Sequence, residues 1–198
     1  VQTCALPICE IKLVLIGNSG VGKSCIVHRA ITGQFDENMQ ATLGASYLSK
    51  TIHYDNKDYR LQIWDTAGQE KYKGLAPLYF RGSNVAFIVY SVSDRSSFDG
   101  VDAWVNRLKE STDTPVSVFL IANKIDMINN IEVQSSNGQQ KAEEIGAKFY
   151  EVSAKTGEGI DDLFAEVPEI FSNCSNVKVE TVLKQSNQTD KNAKKDCC

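Results

Sequence analysis

The 198-residue chain has no run approaching the ~18 consecutive apolar residues of a membrane-spanning helix, so no such helix is expected. It has no excess of positive charge. The formal net charge is −4, which leaves no broad basic surface and no general case for nucleic acid as a partner. Its six cysteines, at positions 4, 9, 25, 174, 197 and 198, show neither metal-ligand spacing nor a disulfide framework, so a reducing, cytosolic setting is expected. The two histidines, His28 and His53, have no partnered acid or nucleophile in sequence reach and read as structural or solvated. An initiator methionine is missing too, and the opening VQTCALPI has neither the basic region nor the apolar region of a signal peptide. Those eight residues match the translation of a common sequencing-library adaptor, GTTCAGACGTGTGCTCTTCCGATCT. Residues 1–9 are therefore expected to be a non-native N-terminal artefact.

What is present is a strong alternation of strand and helix signals. Residues 11–16, Ile-Lys-Leu-Val-Leu-Ile, read as a buried strand, followed by a Gly-rich loop and a helix over about 22–32. Residues 33–43 read as a loop. Two strand-like runs at 45–54 and 59–64 flank Asp55-Asn56-Lys57-Asp58, a turn signal. Further strands are expected at 85–90, 116–122 and 148–152. A helix carrying Phe98, Val101, Trp104, Val105 and Leu108 on one face is expected between the first two, and another over about 134–145. The last helix places Ile160, Leu163, Phe164, Val167, Ile170 and Phe171 on one face, with a kink or early fraying expected at Pro168. The aromatic stripes of these helices read as core. The pattern predicts an α/β fold: a mainly parallel six-stranded sheet with one antiparallel edge strand and helices on both faces. After Phe171 the chain turns to Ser, Asn, Gln, Thr and Lys without an apolar face, and 172–198 is expected to be a disordered tail.

Four segments carry chemistry. GNSGVGKS, Gly17 to Ser24, lies between a strand and a helix, the setting that makes G-x4-G-K-S a phosphate loop. Backbone N–H groups of Ser19, Gly20, Val21, Gly22, Lys23, Ser24 and Cys25 are candidates to curl around phosphates at the positive end of the helix dipole. Lys23 adds charge on the β- and γ-phosphates, and Ser24 offers a hydroxyl to Mg²⁺. WDTAGQE follows the third strand; Asp65 suits the surroundings of that ion, Gly68 could offer its N–H to the γ-phosphate, and Gln69 has the amide chemistry to orient an attacking water. NKID, Asn123 to Asp126, chooses the base. Guanine presents N1–H and a 2-amino group that one carboxylate accepts together, whereas adenine would leave Asp126 unpaired. Asn123 can hydrogen-bond the base and the Lys124 stem can cover its face. In SAK, Ser153 to Lys155, the Ala154 N–H can reach guanine O6.

In this order and spacing the four segments resemble the Ras superfamily of small GTPases, and within it the Rab family, over residues 10–171. The resemblance implies that Thr42, in ATLGASY, binds Mg²⁺ and contacts the γ-phosphate, and that Phe35 packs against guanine. It implies an effector surface of Tyr47, Trp64 and Tyr79. TLGASY together with LAPLYFRG is most similar to the early-endosomal branch. Departures from the family pattern (Tyr47, Leu43, Ser91, Ala30) fall outside the nucleotide set and bear on partner identity.

The implied reaction is hydrolysis of GTP to GDP and phosphate, with Gln69 and Lys23 as catalytic residues and no arginine evident as an internal finger. Ras turns over at roughly 10⁻⁴ s⁻¹ unaided and gains ~10⁵ from a partner arginine, and similar slowness is expected here. Implied partners are an exchange factor, an activating protein, a GDP-dissociation inhibitor or escort protein, and effectors, acting on a monomer. The terminal Cys197-Cys198 pair implies two prenyl groups. Two chains anchor stably where one does not, and a 27-residue tail would reach roughly 30 Å from an endosomal membrane facing the cytosol. The tail's five lysines against three acids add a weak electrostatic aid. Two rivals compete. Another P-loop enzyme, such as a nucleotide or small-molecule kinase, would leave NKID and the Cys-Cys end without a role, and a non-hydrolysing GTP-binding scaffold would leave Gln69 and Thr42 without one. For the N-terminal segment, sequencing the 5′ end of the source transcript is expected to find codons other than those for VQTCALPI; finding them in the genome would contradict the artefact.

Overall fold

Leu13, Val14, Leu15 and Ile16 of strand β1, Cys9–Ile16, are all fully buried. A strand covered on both faces tolerates no alternating polar residues, which is why this run is nearly continuous in apolar side chains. The computed structural model describes residues 8–68 and 76–171. After β1 come α1 (Lys23–Thr32), β2 (Ala45–Tyr54), β3 (Lys57–Thr66), α2 (Ala76–Phe80), β4 (Val85–Ser91), α3 (Arg95–Asp99), α4 (Val101–Ser111), β5 (Ser117–Asn123), α5 (Ser135–Ile145) and β6 (Lys148–Val152). A last helix, α6, covers 160–171.

The strands form one six-stranded sheet in the order β2-β3-β1-β4-β5-β6. Only β2 runs antiparallel to its neighbour. Alternate residues of β4 feed two cores. Val85, Phe87 and Val89 pack with Ile26 and Val27 of α1 and Leu163, Phe164 and Val167 of α6. Ala86, Ile88 and Tyr90 pack with Trp104, Val105 and Leu108 of α4 and Ala142 of α5. Phe87 is central to the first core, its ring centroid 5.2 Å from Phe119 and 5.5 Å from Phe164.

The structure corrects several local expectations. The β2–β3 turn is two residues, not four: Asp55 and Asn56 both have positive φ, 48° and 57°, while Lys57 and Asp58 pair with Tyr54 and His53. Two consecutive left-handed residues give the turn whose twist matches a hairpin, and Asp and Asn tolerate that conformation. His53 does have an acid partner, since its Nδ1 lies 2.9 Å from Asp58 Oδ1 on an exposed part of this hairpin. The helix expected through Phe98 and Leu108 is two helices meeting at Gly100. Asp94 starts α3 by accepting from the Ser96 and Ser97 N–H groups. Helix α6 continues past Pro168 to 171 without a break, with Pro168 itself buried. Burial of Leu163, Phe164 and Val167 against the sheet offsets the lost backbone hydrogen bond.

Because β1, β3, β5 and β6 are parallel, their C-terminal ends lie along one edge. That edge carries Gly17, Asp65, Asn123 and Ser153, and β1 is where the chain order reverses, with β3 on one side and β4 on the other. Open α/β sheets bind ligands at such an edge. Replacing Phe87 by Ala should lower unfolding free energy by about 3–5 kcal/mol, whereas Leu78→Ala, on an exposed side chain, should change it by less than about 0.5 kcal/mol; urea unfolding of both variants checks this.

Candidate functional site

At the end of β1 the chain turns with Gly17 at φ 144°, and a Cβ there would sit 2.2 Å from the Val89 carbonyl oxygen. Only glycine fits this close crossing of β1 and β4. The loop then enters α1, whose N-cap, Gly22, gives no side-chain cap. The first N–H groups of the helix are thus left for a ligand. A cavity of about 270 Å³ is lined by Ser19, Gly20, Gly22, Lys23, Ser24, Cys25, Thr42 and Gly68. Val21 instead turns its side chain into the core.

Lys23 is 5% exposed and donates to the Gly17 and Asn18 carbonyls at 2.9 and 2.8 Å. Burial lowers its pKa to about 8, with Asp65 pulling in the opposite direction. Beside it, the Ser24 hydroxyl lies 2.6 Å from Thr42 Oγ1 and donates to Asp65 Oδ2 at 2.5 Å, with Thr42 Oγ1 at 3.4 Å from the same oxygen. Asp65 is 2% exposed, and its other oxygen, Oδ1, is buried without a partner. Desolvation pushes its pKa up, partly offset by the Ser24 hydroxyl, the Lys23 charge and Thr42. Two hydroxyls around a carboxylate with an unpaired buried oxygen make an all-oxygen donor set of the kind that hard divalent cations choose. Gly68 closes the cavity at close quarters, since a Cβ on it would lie 2.3 Å from the Asn18 backbone.

A second cavity of about 430 Å³ adjoins the first, sharing Gly20, Gly22, Cys25 and Met39. Its walls include Phe35, Asn123, Lys124, Asp126, Ala154 and Lys155. Asn123 is 1% exposed; its Nδ2 donates to the Val21 carbonyl at 2.8 Å and its Oδ1 accepts from the Ala154 N–H at 3.2 Å. The side chain thus ties three loops together and keeps one N–H free for a base. Lys124 holds a left-handed φ of 69° and its ammonium donates to the Gly20 carbonyl at 2.7 Å, laying its stem along the cavity. Ser153 is fully buried and lines neither cavity; its hydroxyl donates to Asp126 Oδ1 at 2.6 Å and orients that carboxylate.

The structure therefore gathers the expected phosphate, cation and base residues around two joined cavities. Gln69 lies outside the described residues, as do Cys197 and Cys198. Tyr47, Trp64 and Tyr79 form a separate cluster: the Trp64 ring is 5.5 Å from Tyr47 and 5.8 Å from Tyr79, with Lys12 Nζ 5.3 Å from its centre. Leu43, Tyr47 and Leu78 are exposed large side chains.

Two contributors escape a sequence reading. Trp104 is a core residue by periodicity, and it is 4% exposed, yet its indole N–H donates to Asn18 Oδ1 of the phosphate loop at 2.9 Å. A buried tryptophan needs an acceptor, which was the available signal. Arg29 carried no signal, and its guanidinium reaches across 125 residues to the Ala154 carbonyl.

The sequence profile of the Ras family matches residues 12–173. The chain belongs to the Ras family and is a small GTPase, an enzyme that hydrolyses GTP. Its Rab character follows from individual relatives. It is 41% identical over 158 residues to the "Ras-related protein Rab-22A" of Homo sapiens and of Canis lupus familiaris. It is 40% identical to that of Mus musculus, and each alignment covers 80% of this chain and 81% of the relative.

Trp104→Phe removes the donor to Asn18 and some ring volume. It should lower stability by about 1–3 kcal/mol and release bound GDP several-fold faster, read by thermal melting and by nucleotide chase.

Proposed function

We propose that this Rab-type GTPase works as a switch in endosomal membrane traffic, with the joined cavities as its nucleotide site. The observation that carries the assignment is the meeting of Lys23, Ser24, Thr42 and Asp65 beside a pocket whose floor carries Asp126. The phosphates lie along the backbone of residues 19–25, with Lys23 against the β- and γ-phosphates and Gly68 against the γ-phosphate. Guanine lies between Phe35 and the Lys124 stem. Asp126 accepts from its N1–H and 2-amino group, Ala154 donates to O6, and Asn123 and Lys155 complete the wall. Ser24, Thr42 and Asp65 are the residues that would hold Mg²⁺, and the ion would supply positive charge against the phosphate oxygens.

In the reaction a water oxygen bonds to the γ-phosphorus as the bridging oxygen to the β-phosphate leaves, giving GDP and inorganic phosphate. Gln69 orients that water and Lys23 stabilises the charge on the departing side. Arg29 directs its guanidinium to the carbonyls of Ala154, Lys155 and Gly33, so it is not free to act as a finger. An activating protein is expected to supply that charge. Loss of the γ-phosphate releases Thr42 and Gly68, and with them the surface around Tyr47, Trp64 and Tyr79 that effectors read. Exchange factor, GDP-dissociation inhibitor and escort protein follow from the family, acting on a monomer. Prenylation of Cys197 and Cys198, at the end of a 172–198 tether, places the switch on the cytosolic face of the endosome.

Binding of GTP, GDP and ATP with Mg²⁺, followed by single-turnover hydrolysis for wild type and Gln69→Leu, tests the assignment. Guanine-selective binding and slow hydrolysis are expected, with turnover lost and GTP binding kept in the variant. Chelation of Mg²⁺ should speed GDP release by at least about tenfold. ATP preference, or tight GTP binding without turnover, contradicts the reading.

A further inference from the structure

We infer that Arg29 is a positioning residue for base selection: from the phosphate-loop helix it clamps the loop that meets the O6 edge of guanine. Three of its N–H groups are used. Nε donates to the Ala154 carbonyl at 2.9 Å, Nη2 donates to the Lys155 carbonyl, and Nη1 donates to the Gly33 carbonyl at 2.6 Å. Each acceptor is a backbone oxygen, so the guanidinium fixes chain geometry without neutralising an acid. Ala154 and Lys155 both line the base cavity. The Ala154 N–H, which the guanine reading assigns to O6, is here held by Asn123 Oδ1 at 3.2 Å. Gly33 is the C-cap of α1, with φ 70°, and opens the loop that brings Phe35 to the same cavity. One planar side chain thus sets the spacing between two walls of the base pocket from the helix that anchors the phosphates. A planar fork holding three fixed acceptors loses little freedom per bond, which suits it to position a loop.

Ala154 is fastened from its other side by the buried Asn123 Oδ1, 3.2 Å from its N–H. Asp126 is oriented by the Ser153 hydroxyl, and Ser153, although next to Ala154 in the chain, is itself held by its N–H to the Glu158 carbonyl at 3.0 Å and not by Arg29. This separation gives the inference a distinctive consequence: loss of the clamp loosens recognition of O6 and leaves recognition of the 2-amino group in place. It also makes Gly33 a route by which a change in the first switch loop alters the hold on the base.

The inference rests on the guanine-nucleotide reading of the pocket, and the test separates the two. Full-length wild type, Arg29→Gln and Arg29→Lys are compared for dissociation of GDP, 6-thio-GDP, in which sulfur replaces O6, and IDP, which keeps O6 and lacks the 2-amino group. Wild type should hold GDP about tenfold or more tighter than either analogue, the value of one hydrogen bond in a closed pocket. Failure of that preference overturns the guanine reading itself. In Arg29→Gln the 6-thio-GDP penalty should shrink to about threefold or less, with GDP release faster by about tenfold, while the IDP penalty stays as in wild type. Arg29→Lys, which keeps the charge without the fork, should fall between them, and it serves alone if the Gln variant does not fold. Equal weakening of all three nucleotides, or none, overturns the role of Arg29 while leaving the pocket's assignment intact.

Discussion

The site depends on one buried amide. Asn123 ends β5 and its side chain bridges the Val21 carbonyl and the Ala154 N–H, so three loops from distant parts of the sequence share one anchor. The geometry leaves no slack. A Cβ on Gly22 would lie 2.4 Å from Asn123 Nδ2, so the phosphate loop comes this close only because residue 22 has no side chain. A buried amide with unmet hydrogen bonds is costly, so the same interaction that forms the site also penalises any arrangement that separates its loops. Lys124 to Gly20, Ser153 to Asp126 and Arg29 to Ala154 add parallel ties around it.

From this anchor the two halves of the site differ in character. The base half is laced together by hydrogen bonds between protein groups and stands preformed. The phosphate half concentrates unsatisfied chemistry: a buried lysine whose pKa burial lowers, a carboxylate whose pKa burial raises, and an orphaned carboxylate oxygen. A polyanion with a divalent cation would relieve all three at once. Thr42 belongs to the loop between α1 and β2, outside regular secondary structure, and is tied to the site through Ser24 and Asp65. A ligand that changes those contacts therefore acts on a segment outside regular secondary structure, the physical basis of a switch.

Much of this was legible in the sequence because it resides in short contiguous segments. The phosphate loop, DTAG, NKID and SAK each place their residues by local backbone geometry, and the strand–helix alternation put them on one edge. Boundaries set by tertiary contacts were not legible. The break at Gly100 comes where that residue lies against the Asn18 side chain, and α6 runs through Pro168 because of what its buried face packs against. The hairpin turn was overestimated because Lys57 and Asp58 are polar, although their backbones pair. The supports of the site, Trp104 and Arg29, were hidden for a related reason. Trp104 reaches the Asn18 side-chain oxygen across 86 residues and Arg29 reaches the Ala154 carbonyl across 125, and their local sequence does not name those acceptors.

The most direct test of the account is the GDP dissociation rate of Asn123→Ser at saturating Mg²⁺, with the folded state followed by melting. Losing two buried hydrogen bonds that join three loops should raise the rate by about a hundredfold, with the sheet still folded. A rate within about twofold of wild type would contradict the central claim, since the loops would then be held together without their common anchor.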